Sequence, residues 1–423
     1  MHAGRDSLSQ ASAGPAATSE WRQSWPVVLA GTAGMSLAAV GTYSMGVMIA
    51  PIEQELGWSR AEISSGPAMV SLICICVASL MGLAVDRFGA RLVGSLSAAL
   101  LCAALALMST ATGSLWTWWA LWAVLGFAQA SMPTVWTAPI GQRFSKSRGL
   151  ALAIVLSGTG IGATLVPLIT GFVVANYDWR TGYLVLGGVW AMMTLPIIAL
   201  GLRGGGRSPA EPGTTGKAAQ TDAPGLTVRQ GFRSLDFYRI AVPTCVGILF
   251  GVAMIMNMVP ILNAGGLSLQ TAASIAGIIG VTTIIGRIIG GYLLDRFDAR
   301  RIASAVTLAP IIFALFMILL PGSVPAAIIA VALYGLTSGP KIAAVVYLAG
   351  KYFGQRNFGV LFGTIQALMA LGMGLGPLLA NVVYDRTQSY VPFLWASVPV
   401  FVVCALIFLT LGKPPTFETV QGK

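Results

Sequence analysis

Two cations stand inside long apolar runs of this sequence, and no carboxylate accompanies them. One is Arg287, in Thr283-Ile-Ile-Gly-Arg287-Ile-Ile-Gly-Gly; the other is Lys341, directly after Gly339-Pro340. All fourteen Asp and Glu fall in polar loops, in the tails or at the ends of apolar runs. A charged side chain at the centre of a bilayer costs roughly 2.5–3.5 kcal/mol even on the lenient insertion scale. Two such cations without an acid point to a water-filled cavity that receives an anion. Arginine suits that chemistry, because its planar fork grips a carboxylate through two parallel hydrogen bonds. Arg287 precedes Asp295 by about 12 Å of helix at 1.5 Å per residue, which is far for a side chain that merely snorkels to the membrane edge. Lys341 either contacts substrate or stretches along its helix to water, and Gly339-Pro340 predicts a break in that helix. With both cations on one cavity, the site would hold a dicarboxylate, or a monocarboxylate with a second polar contact.

Most other chemistry is excluded by residue type. The single histidine is His2, which removes histidine-based catalysis, proton relay and most zinc binding. The five cysteines, at 74, 76, 102, 245 and 404, lie in apolar runs and read as small buried hydrophobes. Cys74 and Cys76 are two apart, so they point to different helix faces and form no redox pair. Without an acid pair inside the apolar runs an enzyme is not expected, nor is any cofactor or metal. Trp122, Gln129 and Trp136 recur every seven residues and share a helix face, as do Tyr334, Thr337 and Lys341. Such stripes either pack against neighbours or line a cavity.

These residues must be positioned by membrane-spanning helices. The 423 residues are 56% hydrophobic and 9% charged, with a mean hydropathy of +0.80, whereas soluble domains carry about a quarter charged residues. Apolar runs occur at roughly 25–49, 62–85, 92–112, 115–141, 150–175, 183–202, 240–264, 271–294, 301–320, 324–350, 358–383 and 391–411. Twelve spans of roughly twenty residues account for the composition, and their continuity excludes a β-barrel of short alternating strands. The expected organisation is a tail at 1–24, a six-helix bundle at 25–202, a flexible linker at 203–239, a second bundle at 240–411 and a tail at 412–423. Residues 1–24 hold no short apolar core, so a cleaved signal peptide is not expected.

The net charge of +11 is topological. With the N-terminus in the cytoplasm, twenty of the twenty-five Lys and Arg lie on that side, and only Arg60, Arg180 and Arg386 lie opposite. No aromatic-interleaved basic patch is present, so no nucleic-acid partner is expected. The halves also repeat. Gly82-Leu-Ala-Val-Asp86-Arg87-Phe88-Gly89-Ala90-Arg91 is echoed, 209 residues on, by Gly291-Tyr-Leu-Leu-Asp295-Arg296-Phe297-Asp298-Ala299-Arg300, and a further echo pairs Pro167 with Pro377. Duplicated six-helix halves around a linker are the architecture of a secondary transporter, with the substrate site at the interface near mid-membrane. The positions 209 residues before the two cations are Ala78 and Met132, so the charge lies in one half only.

At the repeated Gly-x-x-x-Asp-Arg loops the chain resembles the major facilitator superfamily, over roughly 25–411. More narrowly it resembles the branch of the monocarboxylate transporters and their bacterial relatives, including the oxalate:formate antiporter. That likeness rests on Tyr43-Ser-Met-Gly-Val through Pro51 to Gly57-Trp58-Ser59-Arg60-Ala61, on Arg143-Phe144-Ser-Lys146-Ser-Arg148-Gly-Leu150-Ala151, on Gly286-Arg287, and on Tyr352-Phe353-Gly354 with Phe358-Gly359. The sequence departs from the branch at three places: Val47 stands for a first-span lysine, Thr283 for an aspartate, and Gln366 is the only larger polar residue where the oxalate exchanger has a lysine.

The resemblance implies an all-α carrier of small organic anions, monocarboxylate or dicarboxylate, working by alternating access. It implies proton symport or exchange against a counter-anion, a lipid bilayer around a functional monomer, and a bacterial inner membrane with both termini cytoplasmic. A drug or metabolite efflux carrier shares the Asp-Arg loops but generally wants a buried acid for a cationic substrate. By resemblance, Tyr43 and Asn257 join Arg287, Lys341, Gln129, Tyr334 and Gln366 as candidate substrate contacts. Asp86, Arg87 and Arg91, with Asp295, Arg296 and Arg300, become a cytoplasmic latch between the halves. The glycine runs Gly158, Gly160, Gly162 and Gly372, Gly374, Gly376 suit close helix packing and rocking.

Overall fold

The computed structural model describes residues 17–144, 147–201, 225–354 and 356–415. Most of the expected tails and linker, and Lys146 of the basic loop, lie outside the described residues. Within them the structure is helical, apart from one isolated bridge between Gly225 and Gly354.

The first span is α1 (Ala17–Ala38) continued by α2 (Val40–Leu56). There follow α3 (Arg60–Phe88), α4 (Ala90–Leu107), the pair α5 (Leu115–Gln129) and α6 (Met132–Arg143), α7 (Arg148–Asn176) and α8 (Trp179–Gly201). A short α9 (Val228–Arg233) precedes the second half. That half comprises α10 (Leu235–Met256) with α11 (Met258–Ala264), then α12 (Leu269–Arg296), α13 (Ala299–Leu319), α14 (Val324–Phe353), α15 (Phe358–Thr387) and α16 (Val391–Leu409).

Among the described residues, eleven stretches are each long and apolar enough to cross a membrane. The fourth of the twelve spans is missing from that count because it is built in two pieces, α5 of 15 residues and α6 of 12. Pro133, at the first turn of α6, has no N–H to donate to the Gln129 carbonyl, and its ring crowds that carbonyl. Two boundaries differ from expectation. The chain is already helical at Ala17, the first described residue, and the end of the linker is ordered. There Thr227 and Gln230 form a capping box for α9, Ser234 caps α10, and the Leu226 N–H donates to the Phe353 carbonyl.

The expected break at Gly339-Pro340 is absent: α14 runs unbroken through Pro340. Because Pro340 has no N–H, the Leu336 carbonyl loses its helical partner, and it lies directly against Gly286 of α12. Gly339 in turn meets the α12 backbone, where a Cβ would come 2.5 Å from the Arg287 nitrogen. The two helices cross glycine on glycine, and that packing carries α14 past the proline.

The glycine runs show how the halves meet. Residues four apart share a helix face, and the residue between them points away. In α7, Gly158 and Gly162 press on the α1 backbone at Thr32 and Ser36, while Gly160 turns to α12, where a Cβ would lie 2.8 Å from the Gly280 carbonyl. In α15, Gly372 and Gly376 press on α10 at Cys245 and Leu249, while Gly374 turns to α3, 2.7 Å from Ser71 Cβ by the same construction. The outer glycines bind each half together, and the middle one contacts the other half.

The buried core follows the same division. One cluster runs from Val27 to Ile198 in the first half and takes in Met256 of the second. The second half has two: one takes in Val47 and Ala163 of the first half, and the other, from Phe237 to Leu411, contains no residue of it.

Candidate functional site

Between the halves lies a cavity of about 380 Å³, within the range of pockets that hold small organic ligands. The first half contributes Thr42 and Tyr43 from α2, Ser71 and Cys74 from α3, Trp122 and Gln129 from α5, and Thr159 from α7. The second contributes Gly247 and Gly251 from α10, Thr283 and Arg287 from α12, and Tyr334, Thr337, Ser338 and Lys341 from α14. Among the described residues no acidic one lines it, and Arg287 and Lys341 are its two cations.

The two cations differ in how they are held. The Lys341 ammonium donates to the Gly247 carbonyl at 2.8 Å and lies 5.8 Å over the Phe401 ring. Next to it the Tyr334 hydroxyl donates to the Gly251 carbonyl at 2.8 Å. Both side chains thus tie α14 to α10. Arg287 is freer: its Nη2 donates across the interface to Thr159 Oγ1 at a long 3.4 Å, and its Nη1 is buried without a partner. Thr283, one turn before it on the same helix face, also has a buried hydroxyl without a partner. A buried donor left unpaired costs about 1–3 kcal/mol, so this corner is prepared for an acceptor. Thr283 stands where the sequence suggested only a missing aspartate; the signal was its spacing of four from Arg287.

Two expected contacts, and one residue of the tryptophan stripe, lie elsewhere. Asn257 is fully buried, its amide donating to the Ala253 carbonyl and its oxygen accepting from the Tyr390 hydroxyl. Its position at the junction of α10 and α11 uses it to cap a helix break. Gln366 is exposed and outside the cavity lining. Trp136, expected to share a face with Trp122, packs against Gly34 and Gly94 and donates to Met132 Sδ; the interruption at Ala130–Ser131 ends the seven-residue register. Gln129 does line the cavity and donates to the Ala38 carbonyl at 3.4 Å, beside the junction of α1 and α2.

Polar contacts between the halves are unevenly placed. Besides Arg287 to Thr159, the hydrogen bonds that cross among the described residues gather around Arg60. Asp385 at the end of α15 accepts from the Arg60 and Ala61 backbone N–H groups at 3.1 and 2.8 Å. Arg60 Nη1 donates to the Tyr390 hydroxyl at 3.1 Å, its guanidinium lies 3.8 Å over the Tyr384 ring, and its Nε pairs with Glu53 at 2.9 Å. Asn381 donates to Ser64 Oγ at 2.5 Å and accepts from Tyr390 at 2.9 Å. The sequence placed Arg60 within a motif but offered no sign of Asp385, 325 residues away.

The opposite end is parted. Asp86, Arg87, Arg91, Asp295 and Arg296 are exposed, and the arginine contacts there are local, Arg87 over Phe88 and Arg296 over Tyr292. The expected latch is not engaged in this state. Arg300 acts within its own half, pairing with Asp298 at 2.5 Å and donating to the Leu411 and Gly412 carbonyls. That pairing holds the Asp298 carboxyl down to about 2.

The family model described as Major Facilitator Superfamily matches residues 31–340 and 284–422. A Gibberella moniliformis protein named "MFS-type transporter" is 24% identical over 92% of this chain and 92% of its own. A Pseudomonas putida "Gallate transporter" is 26% identical over 79% of this chain and 83% of its own. Human "Monocarboxylate transporter 12" is 25% identical over 63% of this chain and 56% of its own. Among solved structures, a D-xylose-proton symporter aligns with a TM-score of 0.70 at 14% identity, covering 94% of this chain and 99% of the other. A bacterial homologue of the lysosomal transporter Spinster aligns at 0.63 and 15% identity, covering 90% of this chain and 94% of the other.

Proposed function

This chain belongs to the major facilitator superfamily and is a membrane transporter, and from that premise we propose that it carries small organic anions bearing a carboxylate, by alternating access. The observation that carries the reading is the acid-free cavity with the unpartnered Arg287 Nη1 beside the unpartnered Thr283 hydroxyl. A carboxylate docked there receives two charge-assisted bonds from the guanidinium fork and a third from the hydroxyl. The name of the Pseudomonas putida relative, a gallate transporter, and that of human monocarboxylate transporter 12 support the same substrate class. A cationic substrate would find no counter-charge on these walls.

Lys341, with its ammonium anchored on the Gly247 carbonyl, shapes the cavity between α10 and α14 and adds positive potential, with N–H groups left over for a second polar contact. Tyr43, Trp122 and Gln129 form the opposing wall for the body of the substrate.

The distribution of Lys and Arg supports both termini in the cytoplasm, and the likeness to a Pseudomonas putida transporter supports a bacterial plasma membrane. In that orientation the Arg60 end faces outward and the Asp86 end faces the cytoplasm, so the conformation is inward-open. A monomer is sufficient for transport. Uptake of a carboxylate panel into proteoliposomes tests the reading. Arg287→Ala is expected to lose uptake by about 30-fold or more, the cost of removing one side of a desolvated charge pair. Unchanged uptake in that variant would reject the site. The driving force is proton symport or anion exchange: accumulation under an imposed pH gradient identifies symport, and dependence on internal anion alone identifies exchange.

A further inference from the structure

The cluster around Asp385 does something the cavity does not require. We infer that Asp385 and Arg60 form the latch that closes the outer end of the transport path, and that this latch must break once in every cycle. The inference rests on the alternating-access reading above.

The carboxylate of Asp385 sits on the N-terminus of α3, accepting two of the N–H groups that a helix leaves without internal partners. The positive end of the helix dipole favours a negative charge at that point. One carboxylate therefore fastens α15 of the second half to α3 of the first. Arg60, the first residue of α3, extends the contact by donating to Tyr390 and lying over Tyr384, while Glu53 from the end of α2 steadies its guanidinium. Further in, the bond from Asn381 to Ser64 repeats the cross-link on the same pair of helices.

The first turns of α3 are also braced from inside their own half. Trp118 Nε1 donates to the Ile63 carbonyl at 3.0 Å and Trp119 Nε1 to Ser65 Oγ at 2.6 Å. Trp58, Trp118 and Trp122 stack edge to face at 5.7 Å intervals, from the loop before α3 to the cavity wall. The brace holds the α3 N–H groups where Asp385 meets them, so α15 is the partner free to leave.

Not every charge at this end takes part. Arg180 pairs with Glu55 within the first half and reaches the Ala111 carbonyl. It is therefore a control at the same depth that does not cross the interface.

Two experiments on the full-length protein test the latch. In the first, the five cysteines are replaced by serine and Thr42→Cys supplies a cavity-facing thiol, labelled by a membrane-impermeant maleimide from each side in turn, without substrate. Asp385→Asn and Arg60→Gln are expected to raise labelling from the outer side about tenfold and to lower it from the cytoplasmic side, with Arg180→Gln unchanged. Labelling like the parent's in both latch variants would overturn the inference.

In the second, Ala61→Cys with Asp385→Cys is oxidised to a disulfide across the latch. Uptake is expected to stop on oxidation and return with reductant; uptake that continues through the cross-link would overturn the inference whatever the stability of the other variants. If the parent protein takes up no carboxylate at all, the substrate reading fails, while the labelling experiment still reports on the latch.

Discussion

At the Arg60 end a single carboxylate, Asp385, caps a helix of the other half, and glycines and alanines bring the backbones into contact behind it. At the Asp86 end, two carboxylates in repeated loops, Asp86 and Asp295, are exposed, and a Cβ at Gly82 or Gly291 would meet nothing within 4 Å. The residue types are alike and their states opposite. The α7–α12 interface makes the transition visible: Gly171 packs on Ala273, Gly160 on Gly280, and the last hydrogen bond across is Arg287 to Thr159. Arg287 therefore stands where the halves begin to part. In the proposed reading, a substrate carboxylate that takes this guanidinium would compete with the Arg287–Thr159 hydrogen bond between the halves, which would link occupancy to the choice between the two ends.

Breaking the middle of this gradient has the largest effect. Arg287→Lys keeps the charge but loses the fork, and uptake is expected to fall at least tenfold, with KM raised more than the maximal rate is lowered; an unchanged KM would show that bidentate geometry is not used. Next comes the sealed side of the interface. Gly280→Leu drives a side chain into the Gly160 carbonyl and Thr164, and overpacking of this kind costs about 1–3 kcal/mol. The variant is expected to unfold several degrees lower in detergent, whereas Gly291→Val at the parted end should leave the melting temperature within a degree. A matching loss in Gly291→Val would contradict the parted arrangement.

A smaller effect belongs to the loops. If Asp86 and Asp295 cap helices of the opposite half when that end closes, Asp86→Asn with Asp295→Asn leaves the inward-open state untouched and slows turnover several-fold. Equal turnover, measured by exchange across vesicles, would assign these loops to topology alone.

The twelve apolar runs and the duplicated loops were readable because a membrane imposes a length and a hydropathy on each helix, and both are local properties of the chain. The breaks were not equally readable. Pro340 looked like a helix break and is not one, because Gly286 and Gly290 of α12 make room for the proline-containing turn; that compensation lies about fifty residues upstream in another helix. The opposite error affected the fourth span, where a register extrapolated through Ala130–Ser131 put Trp136 on the wrong face.

The two intramembrane cations stood out by their cost alone, yet their spacing carried no sign that Lys341 is tied to Gly247 while Arg287 keeps a free nitrogen. Asn257 offered polarity in a span expected to line the cavity, and its amide is used up at a helix junction. Contacts such as Ala61 to Asp385, 324 residues apart, follow from the pairing of halves, which periodicity within a segment does not encode.

The smallest expected effect is a pH dependence at the parted end. Arg300 holds Asp298 well below its ordinary carboxylate range, to about 2. A carboxyl depressed in the folded state stabilises it above the unfolded value of about 4, and that contribution is lost as the pH falls from about 4 towards 2. Because both side chains are about a third exposed, the pair contributes less than about 1 kcal/mol. Arg300→Gln is expected to lower the melting temperature slightly at pH 7 and to converge with the parent near pH 2.

In the proposed function a substrate carboxylate occupies the corner formed by Arg287 and Thr283. Equilibrium binding of a carboxylate substrate to the purified protein in detergent tests this without transport, by comparing the parent with Arg287→Ala and Thr283→Val. Affinity is predicted to fall about 30-fold or more in the first and about fivefold in the second. Affinities equal to the parent's in both variants would contradict it.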